Sequence, residues 1–399
     1  MKKFIKPFIS MLTLCTLLTI TTNVKAVELN TANKNNSIEK LEAYAPTSDF
    51  GNKVQSIKIT VKNGSSLDLK SSDFHIEFPR VVNGVTEISK QPIKDIKIEG
   101  NVITLFFDAF TYNQKFNIVC DSKSELSFNK ENIKFDLGDV DKFEKRTYEG
   151  TYTTETLNYR LFAPETNEKT PLVLVLHGGG EIGSDNEAQL VANDMVTGFA
   201  SDAQQAINKA YVVGPQLPAE LKVNVATTGK KGWNEEKVKS ALIEIIKGLE
   251  KEYPNIDESR IYVTGASMGS MGTWGLITSY PDFFAAAMPV SGQGDISLME
   301  KVKNLPIWAF HATDDPVVPM YGQKDQYKYN NNIIGTKTLV YRLKELGSKV
   351  MFTEYSSKDM LNAGVPVNEN VGYNHFAWVP TYNNQNAINW LFSQKNKLI

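Results

Sequence analysis

Cysteine is nearly absent, with Cys15 and Cys120 the only two in 399 residues. Cys15 falls inside an N-terminal apolar stretch, so the folded chain holds Cys120 alone. No intrachain disulfide can then form, and stability has to come from packing. A single buried thiol is the expected state of Cys120. An excess of basic charge is missing too, with 43 Lys and Arg against 45 Asp and Glu, and nothing here attracts nucleic acid. Also missing is an unbroken apolar run of about 20 residues, the length of a membrane span. The best candidate, Phe8 to Ile20, is shorter and interrupted by Ser10, Thr13 and Thr16.

What is there begins with Lys2, Lys3 and Lys6 ahead of that run and Val24-Lys25-Ala26 behind it. Positive charge, a short apolar core and small residues at the cleavage point form a secretory signal, so residues 1–26 are read as a signal peptide and the protein as secreted. Cys15 would suit a lipoprotein, but Leu14 is larger than the small residue expected before a lipidated cysteine. Removing 1–26 takes away four lysines and no acid, moves the net charge from −2 to −6, and leaves no transmembrane segment. Residues 27–48, polar and irregular around NTANKNNS, read as a tether.

The remaining composition, 41% hydrophobic and 22% charged, is that of a soluble globular chain long enough for more than one core. Between Val54 and Leu137 the runs VQSIKITV, FHIEF, IKDIKIEG, NVITLFF and KFNIVC alternate and are separated by Asn, Gly, Ser and Pro. Short alternating strands with turn residues between them predict an all-β sandwich over 49–144, immunoglobulin-like in architecture but without the paired cysteines of an antibody domain. His75 alternates with Phe74 and Ile76 and belongs to the polar face of a strand. The acidic stretch DLGDVDKFE, residues 136–144, raises the question of a calcium loop. Its spacing does not match an EF-hand, so a solvated linker is expected.

From Tyr148 onward the period alternates between strand and helix. Tyr148 to Phe162 reads as a hairpin, Pro171–Leu176 and Ala210–Pro215 as fully apolar strands, and strands recur at Arg260–Thr264, Phe284–Val290, Pro306–Phe310 and Lys349–Tyr355. Between them, Val238, Leu242, Ile245, Ile246 and Leu249 recur at helical spacing. Buried strands alternating with helices imply a mostly parallel sheet covered on both faces, here over 145–399. A chain starting near Lys145 is therefore expected to fold by itself.

Within that part, Arg260–Thr273 reads RIYVTGASMGSMGT, a buried strand, a forced turn and the start of a helix. Gly265-Ala266-Ser267-Met268-Gly269 is the G-x-S-x-G nucleophile elbow. There the serine is strained toward positive φ, and the glycines remove Cβ atoms that would block the reversal. A chain of this length holds such a match by chance roughly one time in seven, so the strand before it and the helix after it carry the assignment.

In such sheets ligands bind beyond the carboxyl ends of the strands. Four strand ends carry chemistry: His177-Gly178-Gly179-Gly180-Glu181, Ser267, HATDDP with Asp314 and Asp315, and His375 in GYNHFAW. Of the four histidines, His75 belongs to the sandwich and His177 opens a glycine loop suited to an oxyanion hole. His311 precedes the acid by too few residues to turn back onto it, which leaves His375 as general base. Serine, aspartate, histidine is the order of α/β-hydrolases and differs from those of chymotrypsin and subtilisin. The amides of Met268 and of Gly178 or Gly179 would hold the oxyanion. Trp233, Phe376 and Trp378 are candidate pocket residues, with core packing the competing role. Trp274 is assigned to the core.

The pieces LHGGGEIGSDN, VVGPQLP with a later GW, RIYVTGASMGSMGTW, YPDFFAAAMPVSG and HATDDPVVP, over roughly 170–380, resemble secreted bacterial α/β-hydrolase esterases of the carboxylesterase, feruloyl esterase and polyhydroxybutyrate depolymerase-like group, some with an immunoglobulin-like N-terminal domain. The resemblance implies an α/β-hydrolase fold and singles out Asp315 as the acid. The chain departs from the family pattern at Ser270, where a glycine is usual, and at Ala312 after His311. Neither position carries a catalytic group.

The expected activity is hydrolysis of small or polymer-linked carboxylic esters through an acyl-enzyme on Ser267, Asp315 and His375, with no metal or cofactor. The alternatives are a serine peptidase of prolyl-oligopeptidase type, which usually carries a propeller, and a non-catalytic surface binding protein on a hydrolase scaffold.

Overall fold

The computed structural model describes residues 37–62, 68–150, 157–221, 232–322, 332–366 and 373–398. The expected signal peptide, Cys15 and residues 27–36 of the expected tether lie outside these residues. The chain divides into two compact units. One comprises the chain up to Ala45 with Val54–Asp136, the other Pro46–Lys53 with Leu137–Ile399. No helix among the described residues is long and apolar enough to cross a membrane.

The first unit is all β. Its strands are β1 (Ile38–Tyr44), β2 (Lys53–Val61), β3 (Phe74–Val82), β4 (Val85–Pro92), β5 (Asp95–Glu99), β6 (Val102–Thr111), β7 (Asn117–Cys120), β8 (Phe128–Asn129) and β9 (Lys134–Asp136). They form one sheet in the order β5-β6-β2-β1-β9 and a second in the order β4-β3-β7-β8. Period-2 burial drives both: Ile57 and Ile59 of β2, Ile76 of β3, Ile103 and Leu105 of β6 and Ile118 of β7 are wholly buried. Phe78 of β3 meets Phe110 of β6 edge-on at 5.0 Å, joining the two sheets. Cys120 is a buried free thiol, and His75 sits among Glu77, Lys90 and Asp121.

Two sequence expectations are corrected here. The tether expected over 27–48 gives way to a strand over Ile38–Tyr44. Leu41 and Ala43 alternate inward, and Leu41 pairs in register with Ile59. The stretch 136–144 is not a solvated linker. Leu137, Val140 and Phe143 are buried, the Leu137 N–H donates to the Asp141 carboxylate at 2.9 Å, and Lys142 lies 2.7 Å from Asp139 and 2.6 Å from Asp202.

The second unit is built on eight strands: β10 (Glu144–Tyr148), β11 (Leu157–Phe162), β12 (Thr170–Leu176), β13 (Tyr211–Gln216), β14 (Ile256–Ala266), β15 (Ala286–Val290), β17 (Trp308–Ala312) and β19 (Met351–Tyr355). The order is β10-β11-β13-β12-β14-β15-β17-β19. The short strands β16 (Gln293–Asp295) and β18 (Ile333–Gly335) pair separately. β10 and β11 pair antiparallel, residues 151–156 lying outside the described residues, and the strands from β13 to β19 run parallel. Strand β12 is inserted between β13 and β14, so the winding reverses there, and sheets of this kind bind ligands beyond the carboxyl ends at such a point.

The helices are α1 (Ala188–Val191), α2 (Asp202–Ile207), α3 (Glu236–Glu252), α4 (Met268–Ser279), α5 (Thr336–Glu345), α6 (Ser357–Asn362), α7 (Trp378–Tyr382) and α8 (Gln385–Ser393). Leu172, Leu174 and Leu176 of β12 with Ile261 and Val263 of β14 pack under α3, α4 and α5, burying Val238, Leu242, Ile246, Trp274, Leu339 and Leu343. The opposite face meets α7 and α8. Tyr262 packs on Phe392 at 5.4 Å, and the Tyr262 hydroxyl donates to the carbonyls of Phe392 and Gln394. Apolar residues on both faces of a strand are the pattern of a sheet covered on both sides.

Residues Pro46–Lys53 cross into this unit. The Asn52 N–H donates to the Val191 carbonyl at 2.9 Å, the Asn52 side chain donates to the Leu137 carbonyl at 3.2 Å, and Asn383 donates to Asp49 at 2.8 Å. A chain cut near Lys145 therefore lacks part of the unit it was expected to contain.

Candidate active site

Strand β14 ends at Ala266, and Ser267 takes up φ 56° and ψ −119° before α4 begins. For an L residue that is a strained conformation, held here by packing on both sides. A Cβ on Gly265 would lie 2.6 Å from the Leu176 carbonyl oxygen, and one on Gly269 would overlap the same oxygen. The two glycines let α4 press against the end of β12, and this turns the serine side chain out of the sheet. The amide of Met268 is the first of the helix and has no acceptor within it.

His375 lies in a short turn between α6 and α7, buried beside Ser267. Its Nε2 is 2.9 Å from Ser267 Oγ, and its Nδ1 is 2.8 Å from Asp315 Oδ2. Since Asp315 is acceptor-only when ionised, Nδ1 carries the proton and Nε2 is left to accept from the serine hydroxyl. The structure thus brings Ser267, Asp315 and His375 into one chain of hydrogen bonds. Asp314 is exposed, with φ 57°, and that left-handed turn folds Asp315 back into the protein.

The histidine before the acid does reach it, contrary to the expectation from spacing. His311 Nε2 lies 3.2 Å from Asp315 Oδ2 and 2.9 Å from the Val318 carbonyl oxygen. The positive φ at Asp314 supplies the reversal that four residues of extended chain would not. The backbone N–H groups of Val317 and Val318 donate to Asp315 Oδ1 at 2.9 Å each. Burial by itself would raise the pKa of this carboxyl. The hydrogen bonds from His311 and His375 outweigh burial and hold it well below the usual carboxylate range.

The glycine loop after β12 is fixed by β13. The Leu217 N–H donates to His177 Nε2 at 2.9 Å, so the ring proton sits on Nδ1, which donates to the Gly178 carbonyl at 2.6 Å. Burial pushes the pKa of His177 down to about 4 and keeps the ring neutral. Gln216 ties the rest of the loop. Its side-chain amide donates to Asp185 at 2.8 Å and to the Glu181 carbonyl at 3.1 Å, and its side-chain oxygen accepts the Asn186 N–H at 2.6 Å. A Cβ on Gly178 would sit 3.8 Å from Ser267 Cβ, whereas one on Gly179 would meet nothing within 4 Å. Of the two candidate loop donors, Gly178 is the one packed beside the serine.

The candidate pocket residues separate. Trp233 is 1% exposed and belongs to the core, with its indole N–H donating to the His177 carbonyl at 3.0 Å. It supports the glycine loop from below, and its expected place in a pocket is corrected. Phe376 and Trp378 are half-buried and flank His375. Their rings lie 4.7 Å apart, and Trp378 meets His375 edge-on at 5.6 Å. Phe50, from the inserted segment, meets Phe376 at 6.4 Å. No periodicity in the sequence announces Phe50, because its chain position is remote from the site. Trp274 is buried in the core. Ser270 also points inward, its hydroxyl buried without a partner.

A family model described as the prolyl oligopeptidase family matches residues 226–342. A solved structure of a thermostable esterase is 29% identical, with a TM-score of 0.69 over 90% of this chain and 100% of that one. A bifunctional acetylxylan esterase/xylanase of Neocallimastix patriciarum is 33% identical over 93 residues, 23% of this chain and 14% of that protein. Poly(3-hydroxyalkanoate) depolymerase C of Paucimonas lemoignei is 31% identical over 124 residues, 31% of this chain and 28% of that protein. The match thus spans less than a third of either curated relative. The sheet topology is that of an α/β-hydrolase fold, and within that fold the chain is similar to esterases and peptidases.

Proposed function

We propose that the chain is a secreted serine hydrolase that cleaves carboxylic esters through an acyl-enzyme. The observation that carries this reading is the position of His375 between Ser267 Oγ at 2.9 Å and Asp315 at 2.8 Å. A serine hydroxyl is a weak nucleophile at neutral pH. His375 Nε2 takes its proton as Oγ attacks the ester carbonyl, and Asp315 holds the imidazole in the tautomer that can accept it. The amides of Met268 and Gly178 then stabilise the tetrahedral oxyanion, a contribution of about 3 kcal/mol for each well-placed donor. His375 returns the proton to the leaving alcohol, and water repeats the sequence to release the acid. No step calls for a metal or an organic cofactor.

The names of the relatives suggest small acyl groups or polymer-linked esters as substrates. Phe376, Trp378 and Phe50 offer an aromatic wall against which an acyl or aryl group would rest. Residues 1–26 act in this reading as the export signal, and the all-β unit as an immunoglobulin-like accessory domain. A second reading, peptide cleavage, is favoured by the prolyl oligopeptidase match. A fluorophosphonate probe should label the wild-type chain and not Ser267→Ala. Paired p-nitrophenyl esters, a feruloyl ester and peptide anilides then separate the two activities. Failure to label overturns both and favours a non-catalytic binding protein.

A further inference from the structure

Glu181 closes the sequence His177-Gly178-Gly179-Gly180-Glu181 and has no part in the mechanism above. Its side chain is 13% exposed, and its Oε2 is sealed from solvent without any hydrogen-bond partner. The other oxygen accepts only a long hydrogen bond, 3.4 Å, from Asn193. The Cβ position of Gly178 lies 3.2 Å from Glu181 Oε2 and 3.8 Å from Ser267 Cβ, so the orphan oxygen and the nucleophile share the space beside the loop donor. His177 Nδ1 is 3.8 Å from the same oxygen, but its proton is committed to the Gly178 carbonyl and its ring is neutral. Among the described residues no lysine or arginine pairs with Glu181. The groups that face it are His177 and Asn193, both uncharged, with Gln216 on its backbone carbonyl.

We propose that Glu181 is a positioning residue for the oxyanion site: neutral, it leaves the Gly178 amide to the substrate, and ionised, it competes for that amide and repels the oxyanion. The inference rests on the serine-hydrolase reading. Burial pushes the carboxyl up to about 7, while the nearby amides of Glu181 and Gly178 pull the other way. Those amides favour the charged form because they are the donors an anion would use. The carboxyl and the transition state therefore want the same N–H. Since a carboxylate in this cleft has no cation to neutralise it, the neutral form is the active one. Ester hydrolysis should then fall as pH rises through about 7.

The test is the pH dependence of kcat/KM for p-nitrophenyl acetate with the full chain, since that ratio reports ionisations of the free enzyme. Wild type should show a descending limb near pH 7. Glu181→Gln should lack it and exceed wild type about thirtyfold at pH 8.5. Glu181→Ala serves as a second variant, because any folded form without this carboxyl has to lose the limb. A wild-type profile with no descending limb, or a limb that persists in either variant, overturns the assignment. Fluorophosphonate labelling run alongside separates the layers. An unlabelled wild type overturns the esterase reading and Glu181 with it, whereas labelling with an unchanged profile overturns Glu181 alone.

Discussion

Asp315 shows how far one side chain can be specified. Its carboxylate takes hydrogen bonds from His375, His311 and the N–H groups of Val317 and Val318, while Asp314 next to it faces solvent. The two acids have equal charge and differ only in direction. Replacing Asp315 by Asn should leave the shape and invert the hydrogen-bond preference toward His375, lowering turnover by up to about 10⁴. Asp314→Asn should stay near wild type. Ser267→Ala should abolish ester hydrolysis with the fold intact by circular dichroism, and His375→Ala should lose nearly as much, because such residues act as a unit. A larger loss in Asp314→Asn than in Asp315→Asn would break the assignment.

At the scale of elements, the inserted segment Pro46–Lys53 matters most. Gly51 has φ 85°, and a Cβ there would lie 2.7 Å from the Val191 carbonyl oxygen. Gly51→Ala should therefore cost about 1 to 3 kcal/mol, seen as a fall of several degrees in Tm. Phe50→Ala removes an aromatic contact with Phe376. It should raise KM roughly threefold for a feruloyl ester, equivalent to about 0.6 kcal/mol, and leave KM for p-nitrophenyl acetate as it was. Equal changes for both esters would reduce Phe50 to packing. A chain begun near Lys145 loses Leu137, Val140 and Phe143 as well as this segment. With about 5 kcal/mol of burial gone, it is expected to lose its cooperative melt.

For the molecule as a whole, buried carboxyls set how stability responds to pH. Burial and the neighbouring charge and hydrogen bond of Asp49 push Asp194 up to about 7. The folded chain then holds a proton that the unfolded chain has released, so the contribution of this group is complete below about pH 4 and lost as pH rises through 7. Glu181 acts in the same direction. His177, with its pKa down at about 4, acts in the opposite one, losing stability as pH falls from about 6.5. Asp315, held low, loses stability only below about pH 4. Total stability is thus a poor readout, and a difference between variants is a good one. Asp194→Asn should gain up to about 3 kcal/mol over wild type between pH 5 and pH 8, roughly 6 to 12 °C in Tm. A pH-independent difference in melting would show that Asp194 is already ionised when folded.

The sequence by itself determined what is local. The apolar strands from β12 to β19, the helical spacing of Val238 to Leu249 and the strand-turn-helix around Ser267 are written in neighbouring residues, because periodicity and backbone strain act over a few positions. Only the tertiary structure decided what depends on the path of the chain. It turned Asp315 rather than Asp314 toward His375 and brought His311 back onto that acid, through one residue of positive φ. It buried Trp233 beneath the glycine loop, carried Phe50 from a distant segment to the flank of His375, and sealed Glu181 beside Gly178. Each of these is a contact between residues far apart in sequence or a choice of side-chain direction in a loop. Strand order and loop closure fix such contacts, and no local pattern records them.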